Sequence, residues 1–414
     1  MRTEPTASET ASPSFSIGIW EALATIVGVV MASAVLLAAT TGFAAGGYLF
    51  AVAIGVAYVL MICQATSYCE LSGIMPTAGA AYDYVAAGLG RFWGLTATLA
   101  AYLIVLAFAG PAETSAAGVL AKVSFAPLAA LPDSSTWIIG VTMVPILAAV
   151  NMLGVGVFGR VELWMAAAKW LVLAVFSVAG IVVPPAASTD SLLHAPMILQ
   201  GLGPFGFLQL VGMAIYIFVG MEYVTPLAGA MREPAKTIPR AMFIGLTIIA
   251  FTMLAYGVAV SLQVPNVEVA PGVRILETPA AIPKFAHRLF GGWGRWVLGA
   301  GVLLASATTI NTLLAGLPLM LYGMAKDGVF PRVFAYVHPR FGSPWVGIIF
   351  CALVCMGGTV WIAGRIDKIL TLLLAAVCAW ITGYVLVNIS VICLRIRRPD
   401  LDRPYRTPWF PVPQ

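Results

Sequence analysis

The sequence is poor in charged residues. Only 9% of its 414 residues are Asp, Glu, Lys or Arg, whereas 61% are hydrophobic. A soluble globular chain carries roughly 25% charged residues, so the chain is not expected to form soluble domains and is predicted to lie in a lipid bilayer. Its formal charge of +5 comes from short loops, without a basic run rich in aromatic residues. No nucleic acid partner is therefore expected.

Motifs of enzyme chemistry are missing as well. The chain has no Walker loop, no nucleophile elbow and no GxGxxG sequence. Its three histidines are far apart in sequence, and Cys351 and Cys355 share a helical face without a neighbouring histidine. We therefore predict no catalytic residue, no metal site and no cofactor. The six cysteines are interpreted as packing residues, and the chain is not expected to be an enzyme.

Long apolar runs are abundant, and each is about 20 residues long, enough to span a bilayer. Helices are expected, because the runs do not alternate in polarity and backbone groups in lipid must pair internally. The predicted fold class is an all-α integral membrane protein with ten transmembrane helices. The spans are residues 18–40, 47–71, 92–120, 137–156, 161–183, 206–229, 241–262, 293–326, 345–364 and 369–394.

The distribution of Lys and Arg predicts the orientation. Most of these residues fall in cytoplasmic segments if both termini are placed in the cytoplasm. Residues 1–16 are polar and lack a basic n-region and a cleavage site, so they are predicted to be a disordered cytoplasmic tail and not a signal peptide. Residues 17–394 form the membrane core, and residues 395–414 form a cytoplasmic C-terminal segment.

Three charged residues inside predicted spans stand out: Glu113 in the third span, Lys169 in the fifth and Glu222 in the sixth. Such groups are costly in lipid and usually face a cavity or a partner. Two of them have plainer interpretations: the long side chain of Lys169 could reach the interface, and Glu113 follows a Gly-Pro pair and could only stabilise a kink. Glu70 lies at the end of the second span, where an interfacial position costs little.

Glu222 lies between Gly220 and Pro226, and both of these residues weaken a helix. A broken helix at membrane depth is tolerated only where it is buried in protein or lines a cavity. Its free amides and carbonyls suit a substrate that carries both a carboxylate and an ammonium group. Transporters with inverted repeats break the first helix of each half. Five plus five spans would place the breaks in spans one and six, although the first span, "TIVGVVMASAVLL", has the weaker breaking signal.

Four stretches carry a resemblance to a known family. They are "ELSGIMPTAGAAYDYVAAGLGRFWG", "FVGMEYV" followed by "MREPAKTIPRAM", "LYGMAKDGVFPRVFAYVHPRFGSP" and "RPDLDRPYRTPWFPV". In order and spacing they resemble segments of the amino acid–polyamine–organocation superfamily of secondary transporters. The resemblance implies an amino acid permease with a leucine-transporter-like inverted repeat, with repeat one at about residues 17–183 and repeat two at about 204–394. The family usually has twelve spans, so helices 11 and 12 would be absent while the core is complete.

The resemblance also implies a substrate site at the two breaks. In the family, backbone amides of a helix-one turn bind the substrate carboxylate, and the matching residues are Ala32, Ser33 and Ala34. Both glycines of that turn are replaced here by alanine. The residues that match the substrate turn of helix six are Phe218, Gly220 and Glu222, and Tyr216 lies where some members carry a gating aromatic.

Lys169 resembles the helix-five lysine of proton-coupled members, which occupies the position that sodium takes in leucine-transporter-like relatives. "SATTINT" in the eighth span would supply polar neighbours, or would only pack helices together. Glu113 remains a possible further intramembrane acid.

The resulting hypothesis is proton-coupled secondary transport of amino acids across the plasma membrane by alternating access. The expected partners are the substrate, protons and the lipid bilayer. An amine, polyamine or amino acid/amine exchanger is the main alternative, favoured by Glu222 and the altered helix-one turn. A non-transporting sensor, a truncated inactive transporter and a membrane enzyme are further alternatives.

Overall fold

The computed structural model describes residues 17–186, 205–363 and 365–414, without the side chains of Asp133, Ile366, Asp367 and Leu370. The expected cytoplasmic tail, residues 1–16, lies outside the described residues.

The described chain is almost entirely helical. Its α-helices are α1 Ile19–Val30, α2 Ser33–Gly46, α3 Tyr48–Ile74, α4 Ala81–Leu89, α5 Arg91–Ser124, α6 Trp137–Met152, α7 Val155–Val182, α8 Gly206–Tyr216, α9 Pro234–Gln263, α10 Ala281–Lys326, α11 Trp345–Ile362 and α12 Ile366–Arg397. Leu99–Ile104 within α5 is π-helical. The 3-10 helix Met221–Ala230 follows α8, and shorter 3-10 turns occupy Ala126–Leu128, Asp133–Ser135, Ile275–Glu277 and Arg332–Ala335.

A small antiparallel hairpin precedes α10, and the all-α prediction missed it. Its strands are β1 Glu268–Ala270 and β2 Val273–Arg274. The turn between them contains Gly272, whose φ of 72° lies in the left-handed region that favours glycine. The hairpin is exposed and short, so it has no apolar alternation from which the sequence could have predicted it.

Eight of the described helical segments are long and apolar enough to span a bilayer. They are α3, α5, α7, α8 together with its 3-10 extension (Gly206–Ala230), α9, α10, α11 and α12. The pair α1 and α2, bent by 56°, passes the same test when taken as one span, and α6 is a shorter apolar helix. The architecture is therefore that of a multi-pass helical membrane protein, and the total of ten spans remains a prediction.

Helix α7 shows how the spans are oriented. Trp164, Leu171 and Val178 recur every seven residues and are 75%, 59% and 61% exposed. Glu162 and Lys169 have the same spacing and are completely buried. Residues seven apart share a helical face, so α7 turns large apolar side chains outward and its charged residues inward. This arrangement suits a helix with lipid on one side and protein on the other.

Helix α10 is the central element of the fold. It runs for 46 residues and bends at Phe290–Gly291, where the backbone leaves helical geometry. It packs most extensively on α7 and α5 and also against α1. Its most apolar stretch is 78% buried, more than that of the other spans. The helix thus brings its polar stretch, which includes Ser306 and Thr308, into the interior beside α1, α5 and α7.

Glu70 lies in an unexpected environment. The sequence places Glu70 at the end of the second span, and the structure buries it within the protein, where it is only 1% exposed. Its carboxylate accepts hydrogen bonds from Arg395 Nε at 2.8 Å, Arg403 Nε at 3.2 Å and the Thr407 amide at 2.9 Å. Two guanidinium groups compensate for the cost of burying the carboxylate. The segment 395–414 is therefore anchored onto α3.

Candidate functional site

The chain breaks between α1 and α2, at Met31 and Ala32. Their φ angles are −81° and −72°, so the break needs no left-handed residue and no glycine. Carbonyl groups at the end of α1 and amide groups at the start of α2 are left without partners inside their own helices. These ends carry opposite partial charges, and side chains from other helices bind both of them.

Lys169 of α7 binds the carbonyl end of α1. Its Nζ atom donates to the carbonyl oxygens of Gly28 at 2.7 Å and Met31 at 3.0 Å, and to Thr308 Oγ1 at 2.7 Å. Thr308 Oγ1 in turn lies 2.9 Å from the Gly28 oxygen. Three acceptors match the three donors of an ammonium group. Lys169 is fully buried and does not reach the interface, so it joins α1, α7 and α10 inside the protein.

Glu113 of α5 binds the amide end of α2. Its Oε1 atom accepts from the Ser33 amide at 2.7 Å, and its Oε2 atom accepts from the Ala34 amide at 3.3 Å. Ser306 Oγ lies 2.9 Å from both Glu113 Oε1 and Ser33 Oγ. Glu113 therefore does more than stabilise a kink in its own helix, because it caps another one.

Glu162, which sequence reasoning missed, lies beside the same break. Its Oε2 atom accepts from Asn311 Nδ2 at 2.7 Å, while its buried Oε1 atom has no partner within the described residues. A Cβ atom added to Gly28 would lie 1.8 Å from that Oε1, so only glycine allows this approach. Glu162 is the second residue of the predicted span 161–183 and was not singled out. Its seven-residue spacing from Lys169 was the signal that could have placed it on the same face of the helix.

The second break follows α8, which ends at Tyr216. Gly220 has a φ of 113°, in the left-handed region that favours glycine. The chain then continues as a 3-10 helix that contains Pro226. Gly220 and Pro226, the two residues that the sequence indicated, therefore lie where the helix changes its geometry.

Glu222 is the second residue of this 3-10 segment and is completely buried. Its Oε1 atom accepts a hydrogen bond from the Trp380 indole, and its Oε2 atom accepts from the Tyr384 hydroxyl at 2.7 Å. The Tyr384 oxygen also accepts from the Gly220 amide at 3.3 Å. Trp380 and Tyr384 are four residues apart on α12, on one helical face. Sequence reasoning missed both, although their spacing in an apolar span was a signal.

A cavity of about 30 Å³ lies between the two breaks. Ala32, Glu113, Tyr216 and Trp380 are among the residues that line it. A volume of this size holds roughly one or two water molecules, so an amino acid does not fit in this conformation. Glu222 adjoins the cavity through Trp380, whereas Phe218 is buried with its ring centroid 6.2 Å from that of Tyr58. Of the predicted site residues, the structure thus brings Ala32, Glu113 and Tyr216 to the wall of one small space.

A helical membrane protein that buries a lysine and glutamates around interrupted helices is organised to handle polar solutes within the bilayer, as transporters are. The amino acid permease family matches residues 17–413, and the chain belongs to this family. It is therefore an amino acid transporter and not an enzyme. Among the described residues, no group of His, Cys, Asp and Glu side chains is arranged to hold a metal ion.

Three relatives illustrate the range of the family. The branched-chain amino acid permease BcaP of Bacillus subtilis (strain 168) is 22% identical over 93% of this chain and 82% of its own length. The serine/threonine exchanger SteT of the same organism is 24% identical over 95% of this chain and 86% of its own length. The human cationic amino acid transporter 4 is 25% identical over 83% of this chain and 54% of its own length.

Proposed function

We propose that the chain transports amino acids across the plasma membrane by alternating access and that Lys169 couples this transport to protons. The observation that carries the proposal is the ammonium group of Lys169 between the Gly28 and Met31 carbonyls of α1 and Thr308 of α10. These contacts are those that a bound cation would make. Loss of a proton from Lys169 would weaken the link between α1 and α10, so that the two helices could separate.

The proposed architecture has ten spans in two inverted repeats, residues 17–183 and 204–394, with both termini in the cytoplasm. The bend between α1 and α2 and the left-handed Gly220 support it, because each lies in the first span of a proposed half. A cavity of about 430 Å³ near Arg160, Pro226 and Phe341 lies at the proposed cytoplasmic ends of the spans. It is a candidate for the route between the central site and the cytoplasm.

The proposed substrate site lies between the two breaks and expands when a substrate enters. Its residues are Ala32, Ser33, Ala34, Tyr216, Phe218, Gly220 and Glu222. Glu222 lies behind Trp380, which lines the cavity and donates to it. In this proposal the negative charge of Glu222 attracts the ammonium group of a substrate. Neutral amino acids are the first candidates, because the relatives that cover most of the chain are named for branched-chain amino acids, serine and threonine.

Exchange of amines or of cationic amino acids is the second candidate function. Two buried carboxylates, Glu113 and Glu222, lie at or next to the central cavity, and carboxylates favour a cationic substrate. The relative named for cationic amino acids is consistent with this alternative.

Uptake by proteoliposomes tests the proposal. Purified protein is reconstituted, and entry of labelled leucine, serine, lysine and cadaverine is measured with and without an inward proton gradient. We expect uptake above that of protein-free liposomes and stimulation by the gradient, which a protonophore removes. Uptake that is the same with and without the gradient would show that protons do not drive transport.

A further inference from the structure

The amides at the start of α2 are already bound to a carboxylate from within the chain. Glu113 accepts from the amides of Ser33 and Ala34, and its Oε1 atom lies 2.9 Å from Ser306 Oγ. The residue is 2% exposed. Free amides at a helix N-terminus bind anions, and α2 is 14 residues long. A substrate carboxylate that approached these amides would therefore meet Glu113 in its place.

The surroundings make displacement of Glu113 unfavourable. Glu113 lines the central cavity, and so does Trp380, which donates to the second buried carboxylate, Glu222. An incoming carboxylate would have to replace Glu113 as the acceptor of the α2 amides. It would then remain close to the carboxylates of Glu113 and Glu222. Like charges in a buried space oppose each other strongly, whereas an ammonium group would be attracted.

We propose that Glu113 is a specificity-determining residue, an internal carboxylate that biases the chain toward substrates with an ammonium group and no α-carboxylate. The substrate class is the primary amines that differ from amino acids by loss of the carboxylate. This inference rests on the second candidate function, the exchange of amines, and it assumes that substrates bind between the two breaks. It differs from that proposal in assigning the preference between two substrate classes to one side chain.

Matched pairs of ligands test the inference. Each pair is an amino acid and its decarboxylated amine: leucine and 3-methylbutylamine, serine and ethanolamine, lysine and cadaverine. Their dissociation constants are measured by calorimetry on the purified wild-type chain and on Glu113→Ala. The wild-type chain is expected to bind the amine of a pair more tightly. In Glu113→Ala we expect the ratio of the two constants to change, with the affinity for the amino acid, relative to that for its amine, rising about tenfold or more. This is the effect of removing one carboxylate that competes with the substrate for charge-assisted hydrogen bonds.

Two further variants keep the test decisive. Ser115→Ala is the matched control, because Ser115 is buried on the same helix and its hydroxyl has no hydrogen-bond partner within the described residues. Its ratio is expected to stay that of the wild type. Glu113→Gln preserves the side-chain shape if the alanine variant does not fold. Because each ratio comes from a single preparation, an inactive fraction of protein affects both constants equally.

Three outcomes separate the proposals. A shift in Glu113 variants alone supports the specificity role. An unchanged ratio, an equal loss of affinity for both members of each pair, or a wild-type preference for the amino acid in every pair overturns it and leaves the transport proposal intact. If the wild-type chain binds no member of any pair and shows no uptake of them, the proposed substrate site itself is wrong.

Discussion

The two helix breaks are built in different ways. At the second break the chain's own sequence sets the geometry, with Gly220 at a φ of 113° and Pro226 in the 3-10 helix that follows. At the first break Met31 and Ala32 have ordinary negative φ angles. There the ends are held by side chains of other helices, Lys169 on α1 and Glu113 on α2.

This difference affects how easily each break can change its conformation. A glycine adopts a positive φ without steric cost, so the geometry of the second break is encoded in its own segment. The first break depends on two charged contacts, and either contact weakens when its side chain gains or loses a proton or moves away. In the proposed mechanism the contacts of Lys169 and Glu113 therefore make the first break the more changeable of the two, whereas the geometry of the second is set by its own residues.

Lys169→Ala, at the first break, should have the largest effect. The variant removes the ammonium group that joins the end of α1 to Thr308, so we expect the stimulation of uptake by a proton gradient to be lost. The measurement is uptake into proteoliposomes with and without the gradient. Lys236→Ala is the matched control, because Lys236 is exposed and its ion pair is with nearby Glu233. Gradient-driven uptake with a normal pH response in Lys169→Ala would exclude Lys169 as the coupling residue.

Glu222→Gln should have the next largest effect, at the second break. Loss of its charge is expected to weaken binding of cationic substrates about tenfold relative to neutral amino acids, the scale of a charge-assisted hydrogen bond. If Glu222 senses protons instead, the same change flattens the pH profile of uptake. Competition binding and uptake from pH 5 to 8 distinguish the two roles. Glu268→Gln, in the exposed hairpin, is the control, and wild-type values of both quantities in Glu222→Gln would mean a purely structural role.

Gly220→Ala tests whether the second break is fixed by its own backbone. An added Cβ would meet Trp380 and Val29 at ordinary contact distances of 3.5 Å, so the cost is conformational, about 1–2 kcal/mol. We expect a lower thermal unfolding transition and slower uptake. Gly212→Ala is the matched control, because Gly212 lies within α8 with open space at its Cβ position, and alanine there should be neutral or stabilising. Equal effects of the two variants would contradict the assignment.

Tyr384→Phe should have the smallest effect. It removes one of the two side-chain donors to Glu222 and leaves Trp380 in place. A net loss of about 1 kcal/mol, or a factor of about five, is expected in substrate affinity. Calorimetry on purified protein measures it, with Tyr336→Phe, at an exposed position, as the control. A loss as large as that of Glu222→Gln would show that Tyr384 contacts the substrate itself.

The sequence predicted features that are encoded locally. Apolar runs predicted the spans, and Gly220 with Pro226 predicted the region where the sixth span changes its geometry. The first break was only weakly indicated, because its cause lies in residues 80 to 280 positions away along the chain. The burial of Glu70 was missed for the same reason, since its arginine partners are more than 300 positions distant.

The missed residues Glu162, Trp380 and Tyr384 show a second limit. In a soluble protein an apolar face marks the core, but here both faces of a span are apolar, and helical periodicity does not reveal which side is inside. The few polar residues of a span indicate which of its faces lies inside the protein. The spacing of Glu162 and Lys169 on α7 indicates the inner face of that helix, and Trp380 and Tyr384 do the same on α12.

The indole of Trp380 also provides an optical signal. Tryptophan emission depends on the polarity around the ring and on the charge near its nitrogen, and this ring both borders the central cavity and binds Glu222. Any event that enlarges the cavity or changes the charge of Glu222 should therefore alter its fluorescence. The difference between the spectra of the wild-type chain and Trp380→Phe isolates this contribution from that of the other tryptophans, so occupancy could be followed in real time without an attached dye.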